Sequence, residues 1–378
     1  MGKAILWRIF PVPHLIFGFL ILLVPLVMGD DVFWLNRLAT YLVYGMVALS
    51  ISLCWGNSGI LSLGQGGFFG LGAYAMAMSL KLLSPASDQG SGLPIPDFIF
   101  WNVPPGQEPT LPWLWIPFQS QWFGVFAAIA VPAILAAILG WFIFSGGVTG
   151  VFVSIITLSS VVILNLILVD QQAITNGFNG LTDLAFFQVG SFTFDPFSRS
   201  VYFLVAGVLL ACLFASNALL NTRMGLIFRA IQADERRVSY FKYDVSLYKI
   251  AAYVIASAMA GLAGALYVIC AEFANPTLTE LSLSISFVIW SAVGGRTSLL
   301  GSTLGGISIN LTQSLLSENE LFLNIWQLII GLLFIVIVLF LPNGLTDLVH
   351  KIWSLIRRPR VPATQLIVKR PDKAHSLP

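Results

Sequence analysis

Residues 121–170 read QWFGVFAAIAVPAILAAILGWFIFSGGVTGVFVSIITLSSVVILNLILVD, and no charged side chain interrupts them before Asp170. Two apolar runs, 122–144 and 147–169, flank a short Ser/Gly break. Each is long enough to cross a hydrocarbon core, which needs about 20 residues of helix. Working outward, the same reading gives spans at 11–28, 38–55, 60–82, 200–220, 249–271, 281–294, 299–316 and 324–341. The segment 281–294 is short and reads as a half-helix or an embedded piece. The first span follows Lys3 and Arg8 as a secretory leader would, but no small-residue cleavage site precedes Asp30, so it reads as a retained helix. Composition agrees. Of 378 residues only 10% are charged, against roughly 25% in a soluble domain, so lipid must cover most of the surface. The expected fold class is all-α: a polytopic membrane helix bundle of about ten transmembrane helices over 1–345, followed by a basic, disordered tail at 346–378.

Charge orients the bundle. The two termini and the even-numbered gaps hold 16 of the 19 Lys and Arg residues; the other three are Arg37, Lys81 and Arg199. Acidic residues divide the other way, with 12 of 17 in the opposite connections. Lys/Arg excess marks the cytoplasmic side, which places both termini and the 221–248 connection in the cytoplasm. The 83–121 connection, rich in Pro and Gly with Trp113, Trp115 and Trp122 suited to an interfacial belt, is then external, as is 170–199.

The chemistry-bearing residues exclude more than they suggest. Cys54, Cys212 and Cys270 lie in apolar runs without ligand spacing and read as packing residues. His14, His350 and His375 assemble no metal site or triad. The only Gly-Lys dipeptide is Gly2-Lys3, so the chain has no phosphate-binding loop, and any ATP is hydrolysed by another chain. The span centres contain no Asp, Glu, Lys, Arg or His, which argues against an ion-coupled carrier, where such groups persist for function. An enzyme is not expected, and neither is a cofactor, a metal or a nucleic-acid partner.

The 221–248 connection separates the remaining classes. Residues 223–242 read RMGLIFRAIQADERRVSYFK. Thr222 suits a helix N-cap, and Phe228, Ile231, Val238 and Phe241 recur near a helical turn. An interfacial helix lying on lipid and a docking helix for a protein partner fit this pattern equally. Its mixed charge favours a protein partner, since a lipid-seeking helix is mostly basic.

This stretch, with ADERR inside it and AMAGLAGALY (Ala258 to Tyr267) after it, resembles the permeases of branched-chain amino acid and urea ABC importers. GNSGILSLGQGGFFGLGAY (Gly56 to Tyr74), TNGFNGLT (Thr175 to Thr182) and LFLPNGL (Leu339 to Leu345) are similar to further signatures of that family, in family order. The chain looks like the longer, M-type permease of the pair. VIWSAVGGR (Val288 to Arg296) and Asn324-Ile325-Trp326 look more like the urea branch. One departure stands out: where the family usually has Gly after the docking helix, this chain has Lys242.

The resemblance implies a bacterial plasma-membrane complex. This chain would sit beside a second homologous permease, two cytoplasmic ATPases that bind ATP-Mg, and an extracytoplasmic substrate-binding protein. Arg229, Asp234, Glu235 and Arg236 are the expected polar contacts to an ATPase, with Phe228 and Ile231 as apolar anchors; the alternative is that these charges are merely solvated. Asn57, Ser62 and Gln65 are candidates to line the substrate path, and Asn176 and Asn179 to lie near its external entrance or form a turn. Asn165 and Asn310 are expected to hydrogen-bond between helices. Small residues four apart, such as Gly66/Gly70 and Ser257/Gly261, are expected to let helices approach closely. The expected substrate is urea, possibly with short amides; the alternatives are branched-chain amino acids by the same mechanism, or a passive small-solute channel.

Overall fold

In lipid every backbone N–H must find a carbonyl within its own segment or in enclosing protein, and the apolar runs fold accordingly. The structure is a computed structural model that describes residues 11–29, 31–84, 95–101, 110–318, 325–340 and 344. Lys3, Arg8 and the basic tail lie outside the described residues. In chain order the elements are α1 (Val12–Val27), α2 (Val32–Ile51), α3 (Gln65–Leu82), α4 (Asp97–Trp101), α5 (Gln121–Ser145), α6 (Val151–Asp170) and α7 (Gln172–Thr175). A hairpin of β1 (Phe187–Val189) and β2 (Phe192–Phe194) follows, then α8 (Arg199–Leu220), α9 (Arg223–Ala233), α10 (Glu235–Tyr240) and α11 (Val245–Ala271). The last elements are α12 (Leu281–Gly294), α13 (Leu299–Glu318) and α14 (Trp326–Phe340). Asp31 caps α2 by accepting from the Trp34 N–H at 3.3 Å, and Asp244 caps α11 by accepting from Leu247 N–H at 3.2 Å.

The all-α membrane bundle stands, but the helices are not ten equivalent spans. Among the described residues, five are long and apolar enough to cross a bilayer: α2 with its terminal π turn (Ser52–Gly56), α5, α6, α8 and α11. The pair α12 and α13, bent by 119° at their junction, makes up to a sixth. The reason is enclosure. α3 carries Gln65, Lys81 and four glycines, yet every one of its residues except Leu71 is buried, so neighbouring protein, not lipid, surrounds it. α12, with 14 residues, is short for a span.

α11 is the hub, packed against α5, α3 and α2, while α13 lies against α2 and α12. α3 and α11 cross where small residues allow backbone contact: a Cβ on Gly72 would overlap the Gly261 carbonyl, and one on Gly264 would overlap that of Phe69. α5, α6 and α8 turn much of their surface outward, with Phe126, Trp141, Phe152, Ile163 and Leu166 exposed, as lipid-facing helices do.

Contacts between connections fall into two sets. Asn36 donates to the carbonyls of Pro196 and Cys270, Arg37 pairs with Glu318, and Leu181 bridges Ala274. At the other set of helix ends, Ser52 donates to the Arg296 carbonyl, Gln232 to that of Gly56, and Ser246 to that of Phe144. These two sets coincide with the two groups into which charge sorts the connections.

Candidate translocation path and coupling loop

The 223–242 stretch is two helices. Asp234 is extended (φ −161°, ψ 101°), ends α9 and caps α10 by accepting from the Arg237 N–H at 3.2 Å, with its carboxylate 2.8 Å from Arg237 Nε. Phe228 and Ile231, expected to anchor an ATPase, instead face the chain's own bundle at 0% and 5% exposure. Apolar periodicity marks a buried face without saying what buries it. The outward apolar side chains are Leu226, Tyr240, Phe241 and Tyr243. A groove of about 570 Å³ runs between the two helices, lined by Leu226, Ala230, Asp234, Arg237 and Phe241 among others. Arg229 and Arg236 are exposed. Lys242 has φ 63°, the left-handed conformation that favours glycine, so the turn keeps its shape with a strained lysine.

Glu235 looks inward. Its Oε2 lies 2.5 Å from Lys249 Nζ in the first turns of α11; the lysine side chain is 9% exposed and the glutamate 40%. The ammonium also sits 5.7 Å from the centroid of the Phe144 ring at the end of α5. One ion pair therefore ties the loop to the hub helix and to α5. A cavity of about 250 Å³ lies here, bounded by Gly59, Leu61, Gly150, Gln232, Glu235 and Lys249.

The glycine-containing motifs converge on this place. Gln232 Nε2 donates to the Gly56 carbonyl at 2.6 Å, and a Cβ on Gly59 (φ 75°) would come within 3.2 Å of the Gln232 Cα. A Cβ on Gly56 would overlap the Arg296 carbonyl oxygen, and one on Gly344 would crowd Gly295. Arg296 itself lies over the Trp55 ring at 4.8 Å. Three separated stretches and the coupling loop thus share one junction.

From the junction, residues 59–64 run outside any helix to the start of α3. Backbone without helical bonds inside a membrane protein must be satisfied by protein, and side chains supply this. Ser154 donates to the Leu61 carbonyl at 2.7 Å, while Leu63 and Gly64 N–H donate to the hydroxyls of Thr157 and Ser62 at 3.1 Å each. Gly66 N–H donates to Ser284 Oγ at 3.0 Å. Asn57, a path candidate, is buried and spends its amide on the Ser52 carbonyl at 2.9 Å, closing the π turn. Ser62 is buried, bound to Gly64 and beside the Tyr253 hydroxyl, which falls short of hydrogen-bond geometry. Gln65 is 1% exposed, and neither its Nε2 nor its Oε1 has a protein partner.

The two other path candidates lie elsewhere. Asn176 is left-handed (φ 61°) and donates to the Gly180 carbonyl at 2.7 Å, and Asn179 is exposed. They shape a turn in the set of connections that includes the Leu181–Ala274 bridge, not a wall shared with Gln65. Asn165 does bond across elements, to the Pro276 carbonyl at 2.7 Å and Thr279 Oγ1 at 2.9 Å. Asn310 donates to Gly306 within its own helix, contrary to expectation. Lys81 is 2% exposed, its ammonium 3.0 Å from both the Thr182 carbonyl and Asp97 Oδ1; it fastens the outer end of α3 to TNGFNGLT. Beyond α11, burial first and Asp195 second raise the Glu272 carboxyl above its ordinary value. Among the described residues, no group of three or more His, Cys, Asp and Glu gathers to hold a metal.

The model of the family described as "Branched-chain amino acid transport system / permease component" matches residues 33–338, which take in the junction, the coupling loop and the hub. The "High-affinity branched-chain amino acid transport system permease protein LivM" of Escherichia coli (strain K12) is 24% identical over 329 residues, covering 80% of this chain and 68% of the relative. The LivM of Salmonella typhimurium (strain LT2) matches equally. No solved structure matches the chain. Both relatives are named for branched-chain amino acids, the alternative substrate of the sequence reading and not its first choice of urea. The chain belongs to the branched-chain amino acid permease family of ABC-type transport systems, as a multi-pass membrane transport subunit and not an enzyme.

Proposed function

We propose that this chain is the membrane subunit of an ATP-driven importer carrying branched-chain amino acids inward. It would work beside a second homologous permease, two cytoplasmic ATPases and an extracytoplasmic binding protein. The single observation that carries this reading is the attachment of loop 221–248. Its outward groove is open, while its inward face is bound to the Gly56 carbonyl through Gln232 and to α11 through Glu235. A partner moving the groove would move the ends of α2 and α11 together, as alternating access by rigid elements requires. Exposed Arg229, Arg236, Tyr240 and Phe241, with Asp234 and Arg237 at the groove, are the proposed ATPase contacts. Ser62 and Gln65 are the proposed path residues.

The names of the relatives support amino acids over urea. A second reading, urea, keeps one observation: the buried path candidates Asn57, Ser62 and Gln65 are all neutral, and a neutral diamide needs donors and acceptors without a counter-ion. Radiolabelled leucine and urea uptake in cells with and without the gene separates the readings. Leucine uptake lost on deletion, with urea uptake intact, is the expected result. The reverse pattern favours urea. Passage through the purified chain alone, without ATP or partners, overturns both.

A further inference from the structure

Two membrane helices begin inside the bundle, and their amino ends lie side by side. α3 begins at Gln65, after the non-helical segment 59–64. α12 begins at Leu281, after the turn Pro276–Thr279 that Asn165 holds. Gly70 packs against Thr279 and Gly66 against Ser284, so the helices run antiparallel and overlap by their first turns. Each amino end carries roughly half a positive elementary charge. Water does not screen them at Gln65, which is 1% exposed.

The capping position of α3 is Gly64, which has no side chain to offer. Gly66 N–H is taken by Ser284 Oγ and Gly67 N–H by the Gly64 carbonyl. At the end of α12, Glu280 accepts from the Ser282 hydroxyl at 3.2 Å but is exposed, so its charge is spent largely on water. On the α3 side, the side chain at the first helical position is Gln65. Helical Cα–Cβ bonds tilt toward the amino terminus, which carries its amide to that end. Both of its polar atoms are buried without a partner, an arrangement that costs free energy unless something binds there in the working cycle. Close by, Phe69, about one turn into α3, and Phe287, nearly two turns into α12, pack with Tyr44, Tyr267 and Trp290 at ring separations of 5.0–6.4 Å.

We propose that Gln65 and the paired amino ends of α3 and α12 form a carboxylate-recognition site, with the neighbouring aromatic cluster receiving the apolar side chain of an amino acid. The positive ends attract the carboxylate, the Gln65 Nε2–H₂ donates to it, and the rings accept a branched hydrocarbon. This rests on the amino acid reading above. The conformation described here is closed at the site; it opens when the junction at Gly56 and Arg296 separates.

The test uses the assembled importer with its partner subunits and binding protein, carrying Gln65→Cys with Cys54, Cys212 and Cys270 replaced by alanine. Thiol labelling during ATP turnover is compared for an anionic and a cationic methanethiosulfonate, each rate normalised to a free thiol. The expected result is labelling only during turnover, an anionic preference of about fivefold from the helix ends, and protection by leucine. An unreactive thiol, or no anionic preference, overturns the site. Should Gln65→Cys fail to assemble, Gln65→Leu serves: it keeps the volume, removes the unpaired amide, and should assemble at wild-type level with leucine uptake lowered about tenfold or more. Wild-type uptake in that variant overturns the proposal. Leucine uptake by the unmodified importer is measured alongside; its absence overturns the functional reading itself, whereas its presence with a silent site overturns only this inference.

Discussion

Replacing Glu235 by Gln tests the bond between the coupling loop and the hub helix. The substitution keeps the shape and removes the charge that faces Lys249 Nζ at 2.5 Å. Breaking a fully buried ion pair by removing one partner costs about 3–5 kcal/mol, whereas an exposed pair is worth about 0–1 kcal/mol. Here the lysine side is 9% exposed and the glutamate side 40%. Water reaches the rim, and the ammonium retains the Phe144 ring at 5.7 Å, so a loss of about 2 kcal/mol is expected, between the two limits. The two partners are unequal. Lys249→Met removes the buried charge and leaves a half-exposed carboxylate that water can solvate, so it should cost less than about 1 kcal/mol. The double variant should then resemble Lys249→Met alone, giving a coupling energy of about 2 kcal/mol in the cycle, equal to the loss from Glu235→Gln. Thermal midpoints of the detergent-solubilised complex measure stability, and leucine uptake per ATP hydrolysed measures coupling. Glu235→Gln should lower both, and Lys249→Met should restore the midpoint in the double variant. Equal losses from the two single variants, or strict additivity, would refute the assignment of Lys249 as the buried partner.

Lys242→Gly should stabilise the solubilised complex by up to about 1 kcal/mol, because glycine adopts φ 63° without the left-handed penalty; a lower midpoint would show that the lysine side chain makes a contact outweighing that strain. Glu272 should give a pH dependence of definite sign. Its raised carboxyl pKa means the folded chain holds the proton more tightly than the unfolded chain, so the group opposes folding at neutral pH. That opposition fades as pH falls toward the ordinary carboxylate range. Glu272→Gln should therefore be at least as stable as the parent at pH 7 and lack this gain on acidification, read from thermal midpoints between pH 4.5 and 7.5; a larger acid gain in the variant would contradict the sign.

Much of the architecture was legible in residues that have only one comfortable environment. The uncharged run before Asp170 is a helix in lipid wherever it occurs, and Lys/Arg segregation sorted the connections into the two sets that Asn36–Pro196 and Ser52–Arg296 contacts display. α3 was harder. Its glycines and Lys81 are affordable only because protein encloses it, and enclosure is a tertiary fact that hydropathy does not carry. The coupling stretch was visible as amphipathic, but the partner of its apolar face was not, so Phe228 and Ile231 were assigned outward. A signal for the break was present, since Asp234 followed by a short charged helix is a capping pattern. Lys249 and Ser284 carried none: a cation just inside a span reads as a topology marker, and a serine in an apolar helix as packing. Each gains its role from a residue far away in sequence. Gln65 was legible as a polar residue in a membrane segment, while its unsatisfied amide emerges only from the packing around it.

Photocrosslinking from the coupling loop tests the central claim most directly. A photoreactive phenylalanine analogue is placed at Tyr240, 84% exposed beside the groove, or at Phe228, 0% exposed, in cells expressing the complete importer. Capture of a cytoplasmic ATPase subunit from position 240, with only intrachain products from 228, is the predicted result. ATPase capture from 228, or absence of capture from 240 in a complex that still imports leucine, would contradict the account.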